Sequence, residues 1–175
     1  LLLSKGARIL RSGKNTTALI EAVRNRHFLM ADALLMSGNR IDSADSNGDN
    51  VLHAICQSAG DIAYDIKRTE ERIADFSERW YPERDKRETD EKLESLREAD
   101  KLCFSTAKRI LENGQIDPED KNNIGKTAFD IAMEEGARRI GALLSGQDPE
   151  TDELSALAGG LNVFQALWYK DMAAL

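Results

Sequence analysis

The chain has 175 residues, 31 acidic against 24 basic side chains, a net charge of −7 and two cysteines. Phosphate contact needs a basic field, so this balance argues against nucleic acid and anionic membrane as the main partners. Cys56 and Cys103 are too few for a disulfide framework, and at apolar helix positions they read as buried small hydrophobes suited to a reducing cytoplasm.

Taken in chain order, the apolar triplet Leu1-Leu2-Leu3 is followed at once by Ser4-Lys5, far too short for a signal segment or a membrane span. A short helix is predicted from Thr17-Ala18-Leu19-Ile20-Glu21-Ala22. The Thr17 oxygen can cap its first turn, and Leu19, Ala22 and Val23 share one face. After a break at Asn25-Arg26-His27, Ala31, Leu34 and Leu35 make a second apolar face, which Gly38 terminates.

The opening phrase returns as Asn50-Val51-Leu52-His53-Ala54-Ile55, Thr127-Ala128-Phe129-Asp130-Ile131-Ala132 and Asn162-Val163-Phe164-Gln165-Ala166-Leu167. The steps from Thr17 to Asn50 and from Thr127 to Asn162 are nearly equal, and both fall within the periods of repeat architectures. A second phrase keeps step: Leu2-Leu3-Ser4-Lys5-Gly6, Leu34-Leu35-Met36-Ser37-Gly38 and Ile110-Leu111-Glu112-Asn113-Gly114. Two such helices cannot bury both faces alone and must stack on neighbours. On these phrases the chain resembles the ankyrin repeat family, whose signature is T-P-L-H-x-A. Its proline is replaced by Ala18, Val51, Ala128 and Val163, and only His53 keeps the histidine.

The resemblance implies an all-α fold, a solenoid of helix-turn-helix units with short hairpin-like finger loops. The units fall at residues 11–44, 45–121 and 122–156, between the end of a preceding unit at 1–10 and the start of a further one at 157–175. With no initiator Met and a helix barely opened at Asp171-Met172-Ala173-Ala174, the chain reads as a fragment of a longer array. Leu34, Leu52, Ala54, Ile110, Leu111, Phe129, Ile131 and Leu143 are expected between stacked helix pairs.

The step from Asn50 to Thr127 is more than twice the step from Thr17 to Asn50, so the middle unit carries an insertion. Residues 65–101 are charged at most positions, with both signs mixed, yet an apolar period survives: Ile62, Ile66, Ile73, Phe76 and Trp80, then Leu93, Leu96, Ala99 and Cys103. With Pro82 near the midpoint, residues 61–103 read as the two helices of one unit prolonged into an antiparallel hairpin of roughly 30 Å. The stretch from Pro82 to Lys92 has no apolar residue and is expected as loop or frayed helix, leaving Trp80 and Tyr81 few internal partners. The alternative is a disordered charged loop.

Catalytic and metal sites need clustered His, Cys, Asp or Glu at ligand spacing. His27 and His53 stand in adjacent units, and no second pair completes a site with His53 and Cys56. Glu134-Glu135 reads as ordinary solvated charge, and Gly159-Gly160 as a turn. No metal, cofactor, small-molecule substrate or catalytic residue is expected.

The family resemblance implies a protein-interaction module, and the cysteine usage fits a cytoplasmic one. Carried position by position, the binding face would use finger residues Gly13, Lys14 and Thr16, then Ser46, Asn47 and Asp49, then Asn123, Ile124 and Lys126. First-helix positions add Arg24 and Asn25, Gln57 and Ser58, Glu134 and Glu135, Tyr169 and Lys170. Ile124 and Tyr169 stand out as apolar or aromatic groups on such a face. Trp80 and Tyr81 on the hairpin would give a second contact surface. The rival reading is a targeting or regulatory arm of a larger enzyme, such as a secreted bacterial effector acting in host cytoplasm, with its catalytic domain outside these residues.

Overall fold

A computed structural model describes residues 17–37, 41–78 and 80–147. Among them every regular element is an α-helix, so the fold class is all-α: α1 Ala18–Arg24, α2 Phe28–Met36, α3 Val51–Glu78, α4 Glu83–Asn113, α5 Ala128–Glu134 and α6 Arg138–Leu144. Units 1–10 and 157–175, and the Gly38 stop, lie outside the described residues.

The helix starts are built by the side chains that open each phrase. Thr17 Oγ1 accepts from the Ile20 amide at 3.2 Å, and Asn50 Oδ1 accepts from the Leu52 and His53 amides at 2.9 and 3.2 Å. Thr127 Oγ1 takes the Asp130 amide while the Asp130 carboxylate takes the Thr127 amide at 2.9 Å. These are reciprocal caps for donors that the helix itself cannot satisfy. The hydrogen bond from the Thr127 amide holds the Asp130 carboxyl below its ordinary range, against the opposing effect of burial.

Both short helix pairs turn the same way. The His27 amide returns to the Ala22 carbonyl and the Ala137 amide to the Ala132 carbonyl, each at 2.8 Å. The middle residue is left-handed in both turns: Gly136 at φ +75° and Arg26 at φ +59°.

Helices α1 and α2, α3 and α4, and α5 and α6 pack as pairs, and the pairs pack in chain order. First helices meet first helices, α1 on α3 and α3 on α5, while α2 meets α4 and α4 meets α6. One core runs through all three pairs, with Ile20, Phe28, Leu52, Ile55, Ile110 and Ile140 inside it. Burying each such side chain contributes roughly 1.5–3 kcal/mol. Leu34, Leu52, Ala54, Ile110 and Ile131 are buried, whereas Leu111, Phe129 and Leu143 are only half-buried.

The middle pair is much longer than its neighbours. Helix α3 has 28 residues and α4 has 31, so both arms run past the core. Their shared face holds Leu93, Leu96 and Cys103, buried, and Ile66, Ile73 and Phe76, half-buried. Arg97 bridges the arms to Glu70 at 3.1 Å.

The stretch from Pro82 to Lys92, expected as loop or frayed helix, is regular helix from Glu83 onward, straight after Pro82. Glu83 and Asp85 in the first turn complement the helix N-terminus. Same-helix pairs replace apolar contacts there, Arg84 with Glu88 at 3.1 Å and Lys86 with Glu83 at 2.9 Å.

Candidate functional site

The predicted finger loops at residues 45–49 and 122–126 are two copies of one turn. Asp45 Oδ1 accepts the Asn47 and Asp49 amides at 2.8 and 3.0 Å. Asn122 Oδ1 accepts the Ile124 and Lys126 amides at 3.2 and 3.0 Å. In both, the first amide returns to the fifth carbonyl at 2.9 Å, and the fourth residue is a left-handed glycine, Gly48 or Gly125. Asp45 and Asn122 were not among the predicted site residues. Their signal is the pattern Asp/Asn-x-x-Gly-x, which stands in the same place before Asn50 and before Thr127.

The two turns dock on each other. The Asn123 amide donates to the Asn47 carbonyl at 2.9 Å, and Asn123 Nδ2 donates to the Ser46 carbonyl at 3.0 Å. A Cβ at Gly48 would sit 2.6 Å from Asn123 Oδ1 and 2.8 Å from its backbone nitrogen, so no side chain fits there.

Beneath the turns Asp49 is 4 % exposed and acts as a hub. It accepts from Arg24 at 3.2 Å, Gln57 at 3.3 Å and Asn122 at 2.9 Å. Arg24 also pairs with Asp45 at 2.7 Å. Burial pushes the Asp45 carboxyl up, but the Arg24 guanidinium and the Asn47 and Asp49 amides outweigh it and hold the group below its ordinary range.

Above this layer lies a shallow groove of about 350 Å³, between the second finger turn and the exposed end of α5. Asn47, Gln57, Asn123, Ile124, Glu134 and Glu135 are on its walls. Ile124 is 73 % exposed, and Lys126 is ion-paired with Glu134.

Of the predicted contact residues, Ser46, Asn47, Asn123, Ile124, Glu134 and Glu135 are exposed, and Lys126 and Gln57 are half-buried. Asn25 is exposed and donates to the Glu21 carbonyl at 2.8 Å. Two assignments are corrected. Asp49 is the buried hub, and Ser58, 3 % exposed, donates to the Val23 carbonyl at 3.0 Å to tie α3 to α1. Arg24 is likewise committed to its two aspartates. Lys14, Thr16, Tyr169 and Lys170, with Gly13, lie outside the described residues.

On the hairpin, Trp80 is 88 % exposed. Tyr81 is corrected: it is half-buried, its ring 4.6 Å from that of Phe76 and its hydroxyl donating to Asp75.

His53 is buried, with Nε2 3.0 Å from the Lys126 carbonyl and Nδ1 3.3 Å from the Asn50 amide. Burial pushes the Cys56 thiol up to about 12, so it is no ready thiolate ligand. Among the described residues no group of three His, Cys, Asp or Glu converges as a metal site. None of the described helices is long and apolar enough to cross a membrane. The groove offers amides, carboxylates, the Lys126 ammonium and two isoleucines, Ile124 and the buried Ile131. No family model matches the chain, and no curated protein matches it.

Proposed function

We propose that this chain is an ankyrin-type repeat array that works in the cytoplasm as a protein-binding scaffold, without chemistry of its own. Its units are residues 11–44, 45–121 with the hairpin at about 61–103, and 122–156, a solenoid of stacked helix pairs. The supporting observations are the recurring Thr or Asn caps, the serial packing of the helix pairs and the two matching finger turns.

The observation that carries the functional reading is the exposure of Ile124 on a turn fixed from beneath by Asn122 and from the side by Asn47. A large apolar group held rigidly at the edge of a polar groove has the form of an interface anchor. The hairpin, with Trp80 at its tip, supplies a second contact surface.

The test is affinity capture with quantitative mass spectrometry, comparing the unaltered chain with Ile124→Asp and with Glu112→Lys, an exposed site at the far end of α4. The reading expects a partner retained by Glu112→Lys and lost by Ile124→Asp at unchanged thermal stability. A captured set indifferent to Ile124 would overturn it.

A further inference from the structure

We propose that the groove beside Ile124 takes a protein segment carrying a lysine or arginine next to an apolar side chain. This rests on the reading of that groove as the protein-binding face, and it adds the chemistry of the partner.

The charges around the groove are unequal. Of the residues lining it, Lys126 is the one cation against the carboxylates of Asp49, Glu134 and Glu135. Arg24 is used up by Asp45 and Asp49 underneath, and Lys126 by Glu134. Glu135 is left exposed with no cation against it among the described residues, and half of the Glu134 side chain remains open to solvent. An incoming cation meets an attractive field here, and a phosphate or carboxylate meets a repulsive one. Ile124 stands on the opposite wall, so the field and the apolar contact address neighbouring side chains of one segment.

Both walls are fixed before any partner arrives. The Ile124 turn rests on the close approach of Asn123 to Gly48. The Glu135 wall rests on Gly60 of α3, where an added Cβ would collide with the Glu135 Cβ. Neither wall has to be ordered on binding, which removes one of the main costs of association.

The experiment uses three fluorescent peptides of equal length, each with a central leucine flanked by lysines, by glutamines or by glutamates. Anisotropy gives affinity, and backbone amide shifts in two-dimensional NMR give location. The lysine peptide is expected to bind tightest and to move the Asn47, Asn123 and Ile124 signals. The Glu134→Gln/Glu135→Gln double variant should weaken it about fivefold, and added salt should do the same. Ile124→Ser, which alters no charge, should also weaken it, separating groove binding from diffuse attraction to an acidic protein.

If the glutamine peptide moves the same signals as strongly and ignores the two glutamates, the basic partner is wrong while the groove survives. Lysine-peptide shifts confined to the acidic faces of α3 and α4 also overturn the proposal and leave the groove reading intact. If no peptide moves any groove signal, both fall.

Discussion

The imidazole of His53 and the backbone carbonyl of Lys126 lie 3.0 Å apart, joining two distant parts of the sequence. Nε2 faces that carbonyl, while Nδ1 lies 2.7 Å from Asn50 Oδ1 and 3.3 Å from the Asn50 amide, so the ring is bonded to Lys126 on one side and to Asn50 on the other. One buried ring thus ties the start of α3 to the finger turn before α5.

His53→Ala removes both bonds and leaves a void, so it should cost about 2–4 kcal/mol. Urea denaturation checks this, and the Lys126 and Ile124 amides should become less protected from hydrogen exchange. A loss below ~0.5 kcal/mol, the range of surface changes, would show that the ring is not the tie described.

Arg26 holds a left-handed conformation in the position that Gly136 occupies in the equivalent turn. Its ion pair with Asp65 at 2.8 Å is one-third exposed and worth at most about 0.5 kcal/mol. Arg26→Gly should therefore change stability by less than about 1 kcal/mol, because the ~1–2 kcal/mol of strain that glycine relieves is largely offset by ~0.5–1 kcal/mol of chain entropy and by the lost pair. Arg26→Ala keeps the strain and loses the pair, so its denaturation midpoint should lie below that of Arg26→Gly.

The Asp130 carboxyl is held below its ordinary value of 3.8 by the Thr127 amide. A lowered folded value contributes stability at higher pH that is lost as pH falls through the ordinary value toward the folded one. The stability gap between the unaltered chain and Asp130→Asn should therefore narrow as pH drops below about 4. Paired denaturation curves at neutral and acid pH measure it. A gap that stays constant would mean that the carboxylate charge does not matter to the cap.

Trp80→Ala should change stability by no more than about 0.5 kcal/mol, because the ring is exposed and buries almost nothing. If the hairpin tip is a contact surface, the same substitution weakens partner capture. Phe76→Ala, which removes the ring under Tyr81, should instead lower stability with partner capture changing only in proportion.

The helix starts were legible in the sequence because Thr17, Asn50 and Thr127 each stand before an apolar period, and a cap needs only local atoms. The finger residue Asp49 and the first-helix residue Ser58 depart from their expected exposure for a related reason. Small polar residues serve equally as solvated groups and as buried hydrogen-bond partners, and which one they are is decided by what packs over them. Here α1 and the next turn do so, through Arg24, Asn122 and the Val23 carbonyl. The regular helix from Glu83 to Lys92 was not legible because periodicity sees only apolar groups. Charge pairs at helical spacing and an acidic first turn leave no mark on it.

Cys56 on α3 and Cys103 on α4 make the root of the hairpin its own timer. Both thiols are free and buried, and burial raises both above any useful thiolate population at neutral pH. A modifying reagent can reach them only when the two arms part, because Cys103 lies against the Ile55 carbonyl inside the pair. The rate of thiol modification therefore clocks the opening of the core around the central pair, and a ligand that braces the groove against Gly60 should slow that clock without touching either sulfur.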